Sequence, residues 1–265
     1  MKTSLEALIK PVIAIAKSAA TDILTIYNSS YDIEKKDDQT PLTTADIAAH
    51  KNIVEGLKAL TPNIPILSEE SSSIPFETRS SWNQYWLVDP LDGTREFIKR
   101  NGEFTVNIAL IENNLPVLGV IYVPVTDVYY YACEGNNAFK CEKNGNPQEM
   151  HALKTANEKI IVAGSRSHRD TSLENFLQNI GEHELISMGS SLKSCLVAEG
   201  RVDIYPRLGP TSEWDTAAAQ CIVEQAGGFL TTVDGEQLKY NTKDSLLNPH
   251  FLVFADEKIP WKTFL

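Results

Sequence analysis

This chain of 265 residues reads as a mixed α/β protein whose helices and sheets stack in layers. Three patterns point there. The N-terminal stretch repeats apolar residues at helical period, the middle runs as successive apolar strands, and the C-terminal stretch alternates strands with helices.

The first helix is marked by Leu5, Leu8, Ile9, Val12, Ile13, Ala16, Ala19, Ala20, Ile23, Leu24 and Tyr27, one face of an amphipathic helix. Pro11 either kinks it or sits near its start. The longest apolar run there, Pro11 to Ala16, lies between Lys10 and Lys17. It is too short to span a bilayer and lacks the layout of a signal peptide. A second helix is expected over Thr44–Leu60, after the turn-like run Gln39–Thr43. Ile64–Leu67 reads as a short strand and Ser71–Gln84 as a polar loop. Tyr85–Asp89, Phe104–Ile111, Val117–Val123 and Val128–Cys133 follow as strands, with a turn at Asn113–Pro116. Later strands are expected at Ile160–Gly164, Val202–Tyr205, Gly228–Thr232 and Phe251–Ala255. Later helices are expected at Asp170–Asn179, Ser190–Glu199 and Trp214–Ala226. The polar stretch Lys154–Lys159 marks a soft boundary between the hairpin-rich and alternating halves.

Lys plus Arg total 24 against 35 Asp plus Glu, a net charge of −11. Such a surface repels polyanions, which argues against nucleic-acid polymers as partners. A small phosphorylated ligand fits only where a local cation cancels the charge. Cys133, Cys141, Cys195 and Cys221 show no C-x-x-C spacing and have core-like neighbours. They read as buried free thiols and point to a reducing, cytoplasmic compartment. Oligomeric state and peripheral association with the inner face of the membrane stay open.

The histidines are scattered, without paired His or Cys spacing, which disfavours zinc. Acids stand out instead. Ser68-Glu69-Glu70 follows a strand, Asp89-Pro90-Leu91-Asp92-Gly93-Thr94 follows another, and Asp215 lies in Glu213-Trp214-Asp215-Thr216-Ala217-Ala218 at a helix start. These ends can converge at one sheet edge, and oxygen-rich ligand sets suit Mg²⁺. Within the turn, Asp89 and Asp92 can reach cations, and Leu91 can offer its carbonyl. Gly93 allows close backbone approach to a phosphate, and Thr94 opens a helix Thr94–Arg100 whose N–H groups favour one. Plainer readings stand beside these. Asp92 can cap that helix, Ser212-x-x-Asp215 and Thr43-x-x-Asp46 fit capping boxes, and Glu69-Glu70 can be a solvated loop. Taken together, the strand-end contexts favour a metal site.

Ser68-Glu69-Glu70, the run Trp86 to Thr94, Glu213 to Ala218 and Glu224-Gln225-Ala226-Gly227-Gly228 resemble, in order and spacing, the signatures of the inositol monophosphatase superfamily. The resemblance implies a layered α-β-α-β-α sandwich, with residues 1–155 carrying most ligands and 156–265 carrying Asp215 and substrate-reading residues. It implies Mg²⁺-dependent hydrolysis of phosphate monoesters and sensitivity to Li⁺. It assigns metal binding to Glu69, Asp89, the Leu91 carbonyl, Asp92 and Asp215, and water activation to Asp46 with Thr94. Two Mg²⁺ ions are expected, Asp89 bridging them, with a third and weaker one allowed.

Within the superfamily, Leu91 to Asn107, Ser165-Arg166-Ser167-His168, Gly189 to Lys193 and Tyr205 to Thr211 are similar to the CysQ-type 3'(2'),5'-bisphosphate nucleotidases. That branch implies adenosine 3',5'-bisphosphate as substrate, with AMP and phosphate as products. Ser190 and Lys193 lie where helix N–H groups and a cation can meet phosphate. Counting back from Gly209, Arg207 falls about where inositol-specific relatives place a sugar-reading Glu. The plainer reading makes Lys193 and Arg207 solvated surface cations. The rival functions are an inositol or sugar-phosphate phosphatase on the same fold, and a non-catalytic nucleotide sensor.

Overall fold

The computed structural model describes residues 4–29, 33–35, 41–143, 145–152, 159–166 and 171–265. Helix α1, Leu5–Tyr27, is capped by Ser4, whose hydroxyl accepts from the Ala7 N–H. Pro11 lies inside it. A mid-helix proline costs about 3 kcal/mol, but Leu8, Val12, Ile23 and Tyr27 are buried, and each such side chain contributes about 1.5–3 kcal/mol. Packing therefore carries the helix through the proline. After the short strands β1, Ile33–Lys35, and β2, Pro41–Thr43, helix α2, Thr44–Leu60, buries Ala45, Ala49, Ile53 and Leu57 along one face.

Strands β3, Ile66–Ser68, and β4, Gln84–Asp92, flank a 3-10 turn at Glu69–Ser71 and a short helix α3, Phe76–Arg79. Helix α4, Thr94–Ile98, precedes β5, Thr105–Glu112, β6, Leu115–Val123, β7, Val128–Cys133, β8, Ala138–Glu142, and β9, Gln148–Met150. Among the described residues, β3 to β9 form a sheet in sequence order, parallel only at β3–β4. The remaining elements are β10, Ile160–Ser165, α5, Thr171–Ile180, β11, His183–Met188, α6, Leu192–Ala198, β12, Ile204–Arg207, α7, Glu213–Gln225, β13, Phe229–Thr232, and β14, Phe251–Phe254. Their strands form a second, mixed sheet ordered β11-β10-β12-β14-β13.

Side-chain alternation sorts the core into layers. Val106, Ile108 and Leu110 of β5 pack with α1 and α2. Ala109 and Ile111 of the same strand pack with α6, α7 and the inner face of the second sheet. Val162, Ile204 and Leu252 face outward onto Phe176 of α5 and Trp261. The stack is thus α-β-α-β-α. Helix α7 lies close on the first sheet because Gly119 has no side chain: a Cβ there would sit 2.4 Å from the Ala218 carbonyl oxygen.

Several boundaries differ from the sequence reading. β4 does not stop at Asp89 but continues to Asp92 across a register shift: Asp89 pairs with Asn107, and Asp92 with Thr105. α4 ends at Ile98, since Arg100 takes a positive φ of 55°. The helix expected from Ser190 starts at Leu192, because Ser190 itself has a φ of 53°. β1, β2, β8, β9, β11 and α3 had no counterpart in the periodicity, and Pro41–Thr43, read as part of a turn, forms strand β2. The boundary within Lys154–Lys159, Gln39 and Thr40 of the turn, the Thr43 side chain, Asp170, and Ser167-His168 of the run Ser165–His168 fall outside the described residues, apart from the structured Lys159.

Candidate active site

The strand-end acids do converge. Asp89 and Asp92 at the end of β4 and Asp215 in the first turn of α7 place carboxylate oxygens within 4.8 Å of one another. Glu69, at the turn after β3, lines the same cleft with Leu91, Gly93, Thr94, Ser190, Lys193 and Arg207. The cleft holds about 290 Å³. Asp46 is buried in the first turn of α2 and is not among its lining residues, although its charge reaches Asp89. Thr94 Oγ1 lies 3.5 Å from the Leu91 carbonyl.

Of the plain readings, one proves true alongside the functional one and one does not. Asp215 Oδ2 accepts the Ser212 N–H at 2.8 Å, so the third helical residue, which closes the capping box that Ser212 opens on α7, is also a member of the carboxylate cluster. Gly93, and not Asp92, is the cap of α4, in a left-handed conformation with φ 93°.

Asp92 is held by residues that lie within the quoted runs, of which only Ser190 was given a role from the sequence. Its Oδ2 accepts from the Ser190 hydroxyl at 2.6 Å and from the Ser191 N–H at 2.7 Å. The Ser191 hydroxyl lies 2.7 Å from Asp92 Oδ2 and 2.9 Å from the Asp215 carbonyl. Asn107 donates to Ser191 Oγ at 2.9 Å, and Thr105 in turn donates to Asn107 Oδ1 at 2.8 Å. One signal was available: Thr105 and Asn107 are polar residues two apart at the start of an otherwise apolar strand, both facing one side. Outer-shell partners of a metal ligand typically matter 10–100-fold in affinity. Ser191→Ala is therefore expected to weaken Mg²⁺ binding about 10–100-fold by calorimetry, and an unchanged affinity would show that Asp92 is held without this hydroxyl.

Electrostatically the cluster is short of positive charge. Burial, then the charges of Glu69, Asp92, Asp215 and Asp46, push the Asp89 carboxyl well up. Burial and Asp92 push Asp215 up to about 7. A hard divalent cation fits such an all-oxygen set, since it neutralises carboxylates that otherwise take up protons. A sign follows for stability. Both folded-state values lie above the unfolded ones, so the folded, metal-free protein binds extra protons between about pH 4 and 7. Its thermal stability should fall as pH rises through that window, and saturating Mg²⁺ should raise Tm more at pH 8 than at pH 5. An equal increment at both pH values would mean that cations do not displace protons from this cluster.

The two cations are placed differently from a solvated surface. Lys193 is buried at 5% exposure, with Nζ 5.2 Å from the centroid of the Tyr205 ring. It donates to the carbonyls of Ser190 and, at 3.3 Å, Met188. Burial lowers it to about 8. Arg207 ends β12, donates from Nη2 to the Pro210 carbonyl at 2.8 Å, and among the described residues leaves a buried Nε without a protein partner. A bidentate pair between Arg166 and Glu103, at 2.8 and 2.7 Å, ties the two sheets beside the cleft, and Glu103 also accepts from the Gly189 N–H. The four cysteines are free and buried, and among the described residues no helix is long and apolar enough to cross a membrane.

The pattern described as the Inositol monophosphatase family matches residues 4–258, and the chain belongs to this metal-dependent family. It is 51% identical over 248 residues to the 3'(2'),5'-bisphosphate nucleotidase CysQ of Salmonella typhimurium, covering 93% of this chain and 99% of that one. The corresponding CysQ of Haemophilus influenzae is 38% identical over 264 residues, 99% and 98% of the two chains. Among solved structures, CysQ from Bacteroides thetaiotaomicron superposes with a TM-score of 0.83 at 42% identity, covering 95% of this chain and 98% of its own.

Proposed function

We propose that the protein is a Mg²⁺-dependent 3'(2'),5'-bisphosphate nucleotidase that removes the 3'-phosphate of adenosine 3',5'-bisphosphate, giving AMP and phosphate. One observation carries the substrate class: the cleft that holds the carboxylate cluster also holds Lys193 and Arg207, two cations beyond what one metal-held phosphate requires. The likeness to CysQ proteins over nearly the whole chain supports the same reading.

In this reading Glu69, Asp89, the Leu91 carbonyl, Asp92 and Asp215 hold the metal, taken as two Mg²⁺ ions with a third, weaker one allowed. Bound Mg²⁺ supplies Lewis acidity to the phosphoryl group and counter-charge for the cluster. The chain's own residues do the rest. Thr94, anchored near the Leu91 carbonyl, orients the attacking water, and Asp46 accepts its proton through the threonine hydroxyl. Gly93 and Ser190 shape the walls against which the phosphate rests. Lys193 and Arg207 take the second phosphate, where charge-assisted bonds are strongest. The four unpaired cysteines suit a reducing cytoplasm.

Phosphate release from adenosine 3',5'-bisphosphate, inositol 1-phosphate and fructose 1,6-bisphosphate tests the assignment. The bisphosphate nucleotide is expected to give the highest kcat/KM. A preference for inositol 1-phosphate would move the protein to the sugar-phosphate branch of the family.

A further inference from the structure

Three elements around Asn241 each carry a buried polar atom left without a partner among the described residues. Arg79 of α3, Tyr85 of β4 and Glu213 of α7 are buried at 1%, 0% and 1% exposure. Among the described residues, Arg79 Nε, the Tyr85 hydroxyl and Glu213 Oε1 have no hydrogen-bond partner in the protein. Arg79 and Glu213 are otherwise fixed. Arg79 Nη1 donates to Asn241 Oδ1, and Nη1 and Nη2 also reach the carbonyls of Lys243 and Asp244. Glu213 Oε2 accepts the Asn241 N–H at 2.8 Å. Asn241 thus joins the guanidinium to the carboxylate, and both charges act on the Tyr85 hydroxyl. The nearest cation to Glu213 Oε1 on the outside, Lys243, stands at 3.9 Å, beyond hydrogen-bonding distance.

Orphaned buried polar atoms are costly, about 1–3 kcal/mol each, and three on side chains linked through Asn241 and through their charges call for a shared partner. Its chemistry is constrained. Two of the atoms offer protons and one accepts, so the partner must do both. The carboxylate disfavours an anion and the guanidinium disfavours a cation, which leaves a small neutral molecule. Water with three protein partners meets these demands and is a common internal constituent.

We propose that Arg79 Nε, Tyr85 Oη and Glu213 Oε1 enclose one internal water, and that this water ties the start of α7 to β4. The water accepts from Arg79 and Tyr85 and donates to Glu213. Tyr85 stands four residues before Asp89 on the same strand, and Glu213 two before Asp215 on the same helix. The bridge therefore spans the two elements whose carboxylates meet in the cluster and fixes their separation. Tyr85, Arg79 and Glu213 act as positioning residues, with no contact to a reacting atom.

The test has two arms, neither of which depends on which phosphate ester is cleaved. A high-resolution crystal structure of the unaltered protein should show a water within hydrogen-bonding distance of all three atoms. Direct pairing of Arg79 with Glu213, or no density between them, would overturn the proposal. In the second arm, Tyr85→Phe is compared with Tyr130→Phe, which loses a hydroxyl bonded to Glu199 away from α7. Both should lower Tm, but only Tyr85→Phe should raise the calorimetric Kd for Mg²⁺, by threefold or more. Equal Mg²⁺ affinities in the two variants would show that the site does not hold the cluster together.

Discussion

Asp92→Asn is expected to cut turnover on the order of 10³-fold, the scale seen when one well-placed charge-stabilising group is lost, while the fold survives. The hydrogen bonds around Asp92 explain why the loss should be so complete. Donors from Ser190 and Ser191 surround one carboxylate oxygen. In an asparagine they would select the amide oxygen for that place and turn the –NH₂ toward the cation. The substitution then presents a donor where a ligand is required. The metal-free variant should melt no lower than the parent, because one of several crowded like charges has gone. Exhaustive chelation of the parent should abolish turnover in the same way. Near-normal activity in Asp92→Asn, or full activity after chelation, would remove Asp92 from the metal site.

The second large effect concerns substrate choice. Arg207→Ala and Lys193→Met should each raise KM for adenosine 3',5'-bisphosphate about 10–100-fold, as expected for a lost charge-assisted contact of about 1.5–3 kcal/mol. Methionine is chosen at 193 to keep the buried volume filled. Hydrolysis of a substrate with one phosphate should change little. A pH signature separates Lys193 from Arg207. Burial lowers Lys193 to about 8, so its charge is present below that pH and lost above it. KM for the bisphosphate should climb as pH rises through about 8, and Lys193→Met should flatten this climb. Equal losses on both substrates would mean that these residues do not read the second phosphate.

Much of the site could be read directly because its ligands sit at the ends of apolar runs. Asp89 follows Trp86-Leu87-Val88, and Asp215 opens a helix whose buried alanines follow at once. What escaped reading depends on tertiary neighbours. Ser191 reaches Asp92 from 99 residues away, and the burial of Lys193, itself named as a phosphate-reading residue from the sequence, comes from packing over Tyr205. Three of the missed strands have a common cause. β9 and β11 are edges of their sheets and β8 lies next to an edge, so their half-exposed faces carry Glu, Gln, His and Lys instead of an apolar alternation. Helix α3 is a single turn, below the length at which periodicity can register.

The register shift in β4 has one more consequence. Side chains three apart on a regular strand have opposite parity and point to opposite faces. Asp89 and Asp92 are three apart, yet their carboxylates meet. Across those three steps the partner strand advances only two, from Asn107 to Thr105, so the extra residue cancels the odd count. The family motif is in this sense a counting device: its spacing matters as much as its chemistry. Deleting Pro90 or Leu91 would leave a strand still able to pair with β5, now with one of the two acids on the far side of the sheet. Substitutions throughout this segment can be graded in their effects, whereas a change in its length by one is all or none.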